Sequence, residues 1–348
     1  MPPHPHRPPE LAWQVFRGSE AIRRGLLSRH HLRGASWIRL RQDVYADARL
    51  DRDHALACRA ALLRMPRGAA IAGPSAAYLH GVEHAADFTD DVHVLLPATV
   101  RADSQPGVRV HHAPMSSTRS GLLVPVGSAA PARTSPPVGT SPPAGGPAEP
   151  QNAAAASNPF AESSPGAVMI LPGPPRRTEP AACAWETAVW ADPVEAVGII
   201  DGLLRTGSVN RSALASEAAR NACRPGGRRA AWVFGLTDGL AQSPPESHLR
   251  VRLVFAGLPR PVAQHPVRVS TGLILHPDLA WPEFRVAVEY DGQWHSDADR
   301  MHLDRRRLNQ LVEAGWLVLH VTGRRLRKEF PALVREIRAA LVARGWRP

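Results

Sequence analysis

The sequence predicts a mixed α and β fold. It reads as an N-terminal winged helix-turn-helix, a disordered central insert, and a C-terminal mixed sheet flanked by helices. Three observations lead there: two short glycine-terminated helices ahead of a strand pair, a long Pro/Ala/Gly/Ser-rich stretch, and a late hairpin whose large apolar and acidic residues alternate. With 348 residues the chain has room for two or three domains.

Residues 1–10 form a Pro/His-rich tail without folding signals. The module expected over 11–115 begins with a helix from Ser19, as cap, to Gly25, as stop, and a second from Leu27 to Gly34. Trp37 to Tyr45 then reads as a strand pair or wing. In a winged helix-turn-helix, Arg29, His30 and Arg33 lie on or beside the second helix, where they face DNA phosphates or base edges. A helix from His54 to Met65, another from Ser75 to Gly81, and strands at Val92–Leu96 and Val108–His111 follow. His80, His93, His111 and His112 have no metal-ligand spacing and read as satisfied or exposed side chains. Runs such as Ser135-Pro136-Pro137 and Ala153 to Ala156 mark 116–180 as a disordered insert, with Ala167 to Leu171 a candidate strand inside it. Residues 181–243 read as a helical connector.

The C-terminal unit, 244–348, reads as helix, strand, strand pair, helix, strand, helix. Its first helix runs from Glu246 to Phe255 and its longest from Asp297 to Ala314, closed by Gly315. The strand pair carries the chemistry. A two-residue Glu283-Phe284 loop pairs Trp281 with Val286 and Asp278 with Glu289. Asp278, Glu289 and Asp291 then share one face, and Leu279, Trp281, Val286, Val288 and Tyr290 the other. Like charges on opposed positions repel. A divalent cation bridging them supplies the reason for placing them there; solvated acids at strand ends are the plainer alternative.

The formal charge is +11, from 42 Lys and Arg against 31 Asp and Glu, and Lys328 is the single lysine. That surplus favours a polyanion, nucleic acid above all. Cys58, Cys183 and Cys223 are scattered, which argues against a structural zinc site or a disulfide framework. The N-terminus lacks a signal-peptide core, and no stretch approaches the roughly 18 apolar residues of a membrane span. The expectation is a soluble cytoplasmic protein with no membrane partner.

The run Pro277-Asp278, Glu289-Tyr290-Asp291-Gly292, Trp294-His295, then Asp304-Arg305-Arg306-Arg307-Leu308-Asn309 and Ala314-Gly315-Trp316, resembles the very-short-patch-repair-like branch of the PD-(D/E)XK nuclease superfamily over about 100 residues. The stretch Leu26-Leu27-Ser28 and Trp37 to Ala46 resembles, over a shorter span, the winged-helix domain of AbiEi-type antitoxins, in which a glycine usually stands where Asp43 does. The first resemblance implies a restriction-endonuclease-like fold and a DNA endonuclease dependent on Mg²⁺ or Mn²⁺. Asp278 and Glu289 become the paired metal ligands, Glu246 the acid that completes the site, His295 the histidine after the Asp-Gly turn, and Asp304 the aspartate of the following helix. Asp291 occupies the position of the superfamily lysine; the repair-type branch also lacks that lysine and uses histidines. Arg305, Arg306 and Arg307 would neutralise phosphates. A second class of reading is a DNA-binding regulator or antitoxin with a degenerate nuclease-like domain. A third is a protein-interaction module. A toxin partner and a homodimer both stay open.

Overall fold

A computed structural model describes residues 6–66, 68–102, 104–112, 170–171, 173–291 and 298–348, with the backbone alone over 298–305. The fold is mixed α and β. The chain divides into two units, Met1–Leu50 with Pro125–Pro174, and Asp51–Val124 with Pro175–Pro348. The division falls inside the stretch 11–115 read above as one module. Most of the expected insert, residues 116–169 and 172, lies outside the described residues, as do 113–115 of the module before it, and Ile170 and Leu171 belong to no strand.

In the first unit, β1 (Val15–Arg17) leads directly into α1 (Gly18–Arg23), followed by β2 (Trp37–Arg41) and β3 (Val44–Asp47). The three strands form an antiparallel sheet in the order β1-β3-β2, closed on Leu11, Phe16, Ala21, Leu27 and Trp37. Helix α1 ends as expected before Gly25, whose φ is +70°. Its start differs. Ser19 is inside the helix, and the cap comes from Asp43 in the β2–β3 turn: its carboxylate accepts the Ser19 amide at 2.7 Å, the Ser19 hydroxyl at 2.7 Å and Arg17 Nε at 2.9 Å. Asp43 has φ +60°, the left-handed conformation a glycine would take there. The expected second helix over Leu27–Gly34 is reduced to one 3₁₀ turn, His31–Arg33. Ser28 and His31 cap each other across it (3.2 Å in both directions), and Gly34 stops it before a longer helix can offset the cost of nucleation.

The second unit opens with α2 (His54–Leu62), β4 (Ala70–Ile71), α3 (Gly73–Leu79), β5 (Val92–Leu96) and β6 (Val108–His112), then α4 (Pro180–Trp190), α5 (Pro193–Arg205), α6 (Arg211–Arg220) and α7 (Gly227–Leu236). The supposed helical connector is half of a core. Cys183, Ala184, Val197, Ile200 and Leu203 pack with Ile71, Val92, Val94 and Leu96 in one apolar cluster. The backbone stitches the halves: Ile71 donates to the Arg176 carbonyl at 2.8 Å, and Thr178 donates to that of Ile71 at 2.9 Å.

The remainder comprises α8 (Pro244–Phe255), β7 (Val262–Ala263), β8 (Val267–Arg268), β9 (Ile274–Leu275), β10 (Leu279–Trp281), β11 (Val286–Asp291), α9 (Ala298–Glu313), β12 (Leu317–Thr322), α10 (Gly323–Lys328) and α11 (Phe330–Ala343). Its mixed sheet has the order β12-β11-β10-β7, with β11 and β12 parallel and the other pairs antiparallel. Leu279, Trp281, Val286 and Val288 face Leu249 and Leu253 of α8 and Leu333, Ile337 and Leu341 of α11. On the opposite face, Ala280 and Ala287 pack with Leu311 of α9 and with Trp316. Helix α8 is also bolted to α5 by the fully buried Arg250, which bonds Asp201 at 2.7 Å and pairs with Asp238 at 2.9 Å.

Candidate functional site

The paired ends of β10 and β11 set the site. The ladder runs Trp281↔Val286, Ala280↔Ala287, Leu279↔Val288. One step further, Asp278 stands against Glu289. The connection is not the two-residue turn drawn from the sequence. Pro282–Phe284 forms a 3₁₀ turn and Arg285 takes φ +49°. The expected register nevertheless holds, because the turn still brings Trp281 opposite Val286.

Asp278 is half-buried. Its Oδ2 accepts the Tyr290 amide at 2.8 Å and its Oδ1 the Gln264 side-chain amide at 3.2 Å. Glu289 is contacted by Arg307, Nη2 to Oε1 at 3.3 Å. Burial, then the charge of Asp278, lifts the Glu289 carboxyl to about 7. Burial also lifts Asp278, against the opposing pull of the Tyr290 and Gln264 donors and of Arg307. Glu246 is buried at the start of α8 and raised by burial, with Asp278 adding to the effect. Its oxygens already serve the helix start: Oε1 accepts Ser243 Oγ at 2.7 Å and Oε2 the Gln242 amide at 2.8 Å. This Ser-x-x-Glu arrangement accounts for Glu246 without a metal. Asp291 is 3.3 Å from His320 Nδ1.

Other expected residues fall as follows. His295 lies outside the described residues, as do the side chains of Asp304 and Arg305. Arg306 is exposed. Arg307, expected to meet phosphate, is half-buried and turned inward to Glu289 and the His276 carbonyl. Arg29, His30 and Arg33 are exposed on and beside the 3₁₀ turn of the first unit.

Sequence reasoning missed three residues at the acidic site. Gln264, in the left-handed region at φ +52°, reaches Glu246 at 3.5 Å as well as Asp278 and so ties α8 to β10. His276 donates from Nδ1 to the Gln264 carbonyl, 3.0 Å away. His320 is the Cα partner of Glu289 in the parallel β11–β12 ladder. Partners in a parallel ladder share a face, so this imidazole stands on the acidic side. A search by local spacing had no reason to look 31 positions beyond Glu289.

For a divalent cation, Asp278 and Glu289 offer hard oxygen donors whose mutual repulsion a cation would relieve. Among the described residues no group of three or more His, Cys, Asp or Glu is arranged to hold a metal. The fit is therefore that of a two-carboxylate core, with Asp291 and His320 beside it. No described helix is long and apolar enough to cross a membrane.

No family model and no solved structure matches the chain. Two proteins of Mycobacterium tuberculosis do: MT2308 of strain CDC 1551 / Oshkosh and Rv2248 of strain H37Rv, both described as uncharacterized. Each is 32% identical over 153 residues, 44% of this chain and 56% of theirs. The chain thus spans about half the length of these relatives.

Proposed function

We propose that the protein is a metal-dependent DNA endonuclease of restriction-endonuclease-like fold, acting in the cytoplasm, with a winged-helix-like N-terminal unit that contacts DNA. The observation that carries this reading is the opposed pair Asp278 and Glu289 at the end of β10 and β11, both lifted by burial, with Glu289 lifted further by Asp278. The strand order β12-β11-β10-β7 and the helix on each side support it.

Asp278 and Glu289 would hold Mg²⁺ or Mn²⁺, which when bound supplies charge neutralisation at the scissile phosphate and a water of lowered pKa. The chain's own groups do the rest. Gln264 and the Tyr290 amide fix the orientation of the Asp278 carboxylate. Arg307 balances the charge of Glu289 and offers a guanidinium to a phosphate. His320 sets an imidazole, the side chain suited to carrying a proton near neutral pH, beside the aspartate that replaces the superfamily lysine. Arg306 and the exposed Arg29, His30 and Arg33 supply phosphate contacts.

The test is plasmid cleavage with Mg²⁺ or Mn²⁺. Wild type should nick or linearise DNA and the Asp278→Ala, Glu289→Ala double variant should not; equal behaviour of the two defeats the enzyme reading. A second reading, a DNA-binding regulator or antitoxin with a degenerate site, is favoured by Asp291 in the lysine position and by Arg307 resting on Glu289. It expects tight DNA binding by both forms and cleavage by neither.

A further inference from the structure

The first unit displays an aromatic side chain in a costly way. Four non-glycine residues have positive φ among the described residues: Trp13, Asp43, Gln264 and Arg285. Asp43 and Arg285 shape hairpin turns, and Gln264 serves the acidic site. Trp13, at φ +60°, is the aromatic one, and a bulky residue in this region is a genuine outlier. It takes no part in the apolar cluster around Phe16, and it is 53% exposed. The conformation does not secure burial of the indole.

What it secures is a fixed presentation. Asp47, fully buried, accepts the Trp13 amide at 3.0 Å and thereby holds the residue in its left-handed conformation. The same carboxylate takes the Arg49 guanidinium in a forked pair, Nη2 at 2.6 Å and Nε at 3.1 Å. Arg49 is then laid over the Trp13 ring, its central carbon 4.3 Å from the ring centre. Arg7 also reaches Asp47, at 3.5 Å. Two guanidinium groups against one carboxylate leave a net positive charge beside an exposed indole. Residues 1–50 as a whole hold nine arginines against four acids.

We propose that Trp13 and Arg49 form a stacking platform for an unpaired nucleobase. An aromatic face with a cation fixed against it, in a strongly basic surrounding, is the chemistry that binds single-stranded nucleic acid: the ring takes the base and the guanidinium groups take the backbone. A fully paired duplex keeps its base faces stacked on one another and cannot use the platform. The inference rests on the DNA-contacting reading of this unit and adds the substrate class, DNA with at least one unstacked base.

The experiment uses the full chain in EDTA, to prevent cleavage, with a fluorescent single-stranded oligonucleotide and the matched duplex, at two salt concentrations. Base–aromatic stacking of the usual strength gives about tenfold, so Trp13→Ala should weaken single-strand binding about tenfold and duplex binding less than about twofold. Trp13→Phe should recover most of the loss. A 2-aminopurine in the single strand should change its emission with wild type and Trp13→Phe but not with Trp13→Ala, which a purely electrostatic role would not produce. Trp13→Gly suits φ +60° and should melt no lower than wild type while losing single-strand affinity, which separates display from folding. Wild-type single-strand affinity in Trp13→Ala, or an equal loss on both DNAs, overturns the platform but leaves the DNA-contacting reading standing. Duplex binding without Trp13-dependent single-strand binding overturns it too. No binding of either DNA by wild type overturns both.

Discussion

Glu186, buried, and Glu289, partly buried, are two glutamates whose carboxyls are both pushed to about 7, and they arrive there by different routes. Glu186 sits fully enclosed in the core around α4. Burial raises it, and two neutral donors hold it, the Gly73 amide and the Thr178 hydroxyl, each at 2.8 Å. Glu289 is also raised by burial, but its next cause is the charge of Asp278, and its contact is the half-exposed Arg307. The first carboxyl is locked by hydrogen bonds and closed to ions. The second stands opposed to another acid at the end of two paired strands. One arrangement secures a fold; the other leaves two acids opposed beside a partly exposed guanidinium.

The largest expected effect lies on the Glu186 side. Glu186→Ala orphans two buried donors and opens a cavity, and should lower unfolding stability by about 3–5 kcal/mol in a denaturant titration. Glu289 should respond with the opposite sign. A carboxyl whose folded pKa exceeds its unfolded value holds its proton more tightly when folded. Its contribution is therefore fully present below pH 4.5 and is lost as the pH climbs to about 7. Glu289→Gln should accordingly gain up to about 3 kcal/mol over wild type at pH 8 in EDTA, a gain that fades toward pH 4.5. A gain of the same size at pH 4.5 would mean that the effect is packing rather than charge.

A divalent cation sharpens the comparison further. At a tenfold excess over its dissociation constant, Mn²⁺ should stabilise wild type by about 1.4 kcal/mol at pH 8, and Glu186→Gln equally. It should leave Glu289→Gln nearly unmoved in the same thermal-shift assay. The smallest effect belongs to Arg307→Ala. The guanidinium is partly exposed, so the pair should be worth no more than about 1 kcal/mol. Its loss should show instead as a further rise in the Glu289 titration, read by NMR.

The hairpin was the most legible part of the chain. Large residues at Leu279, Trp281, Val286 and Val288 enter one core together when Trp281 opposes Val286, and a slip by one residue would send one strand's pair to the other face. The turn itself was misread, because Pro282 starts a 3₁₀ turn and Arg285 accepts a left-handed conformation that its residue type does not advertise. The second helix of the first unit failed for a related reason: a serine start and a glycine end fit a helix, but Gly25 and Gly34 leave too few residues between them. The union of 51–112 with 173–243 was invisible, since periodicity says which face is buried and not what buries it. Gln264 and His320 escaped notice similarly. Each reaches the acids through a sheet pairing or a backbone conformation that no local pattern encodes.

Ala280 and Ala287 face each other on the side of the sheet that packs with α9. Their methyl groups act as a shim, setting the gap between the sheet and the helix that carries Arg307. A larger side chain at either position would move that helix outward and draw the guanidinium off Glu289 before it disturbed the strands. The spacing of charge at the acidic end is thus decided by the two smallest side chains in the middle of the sheet.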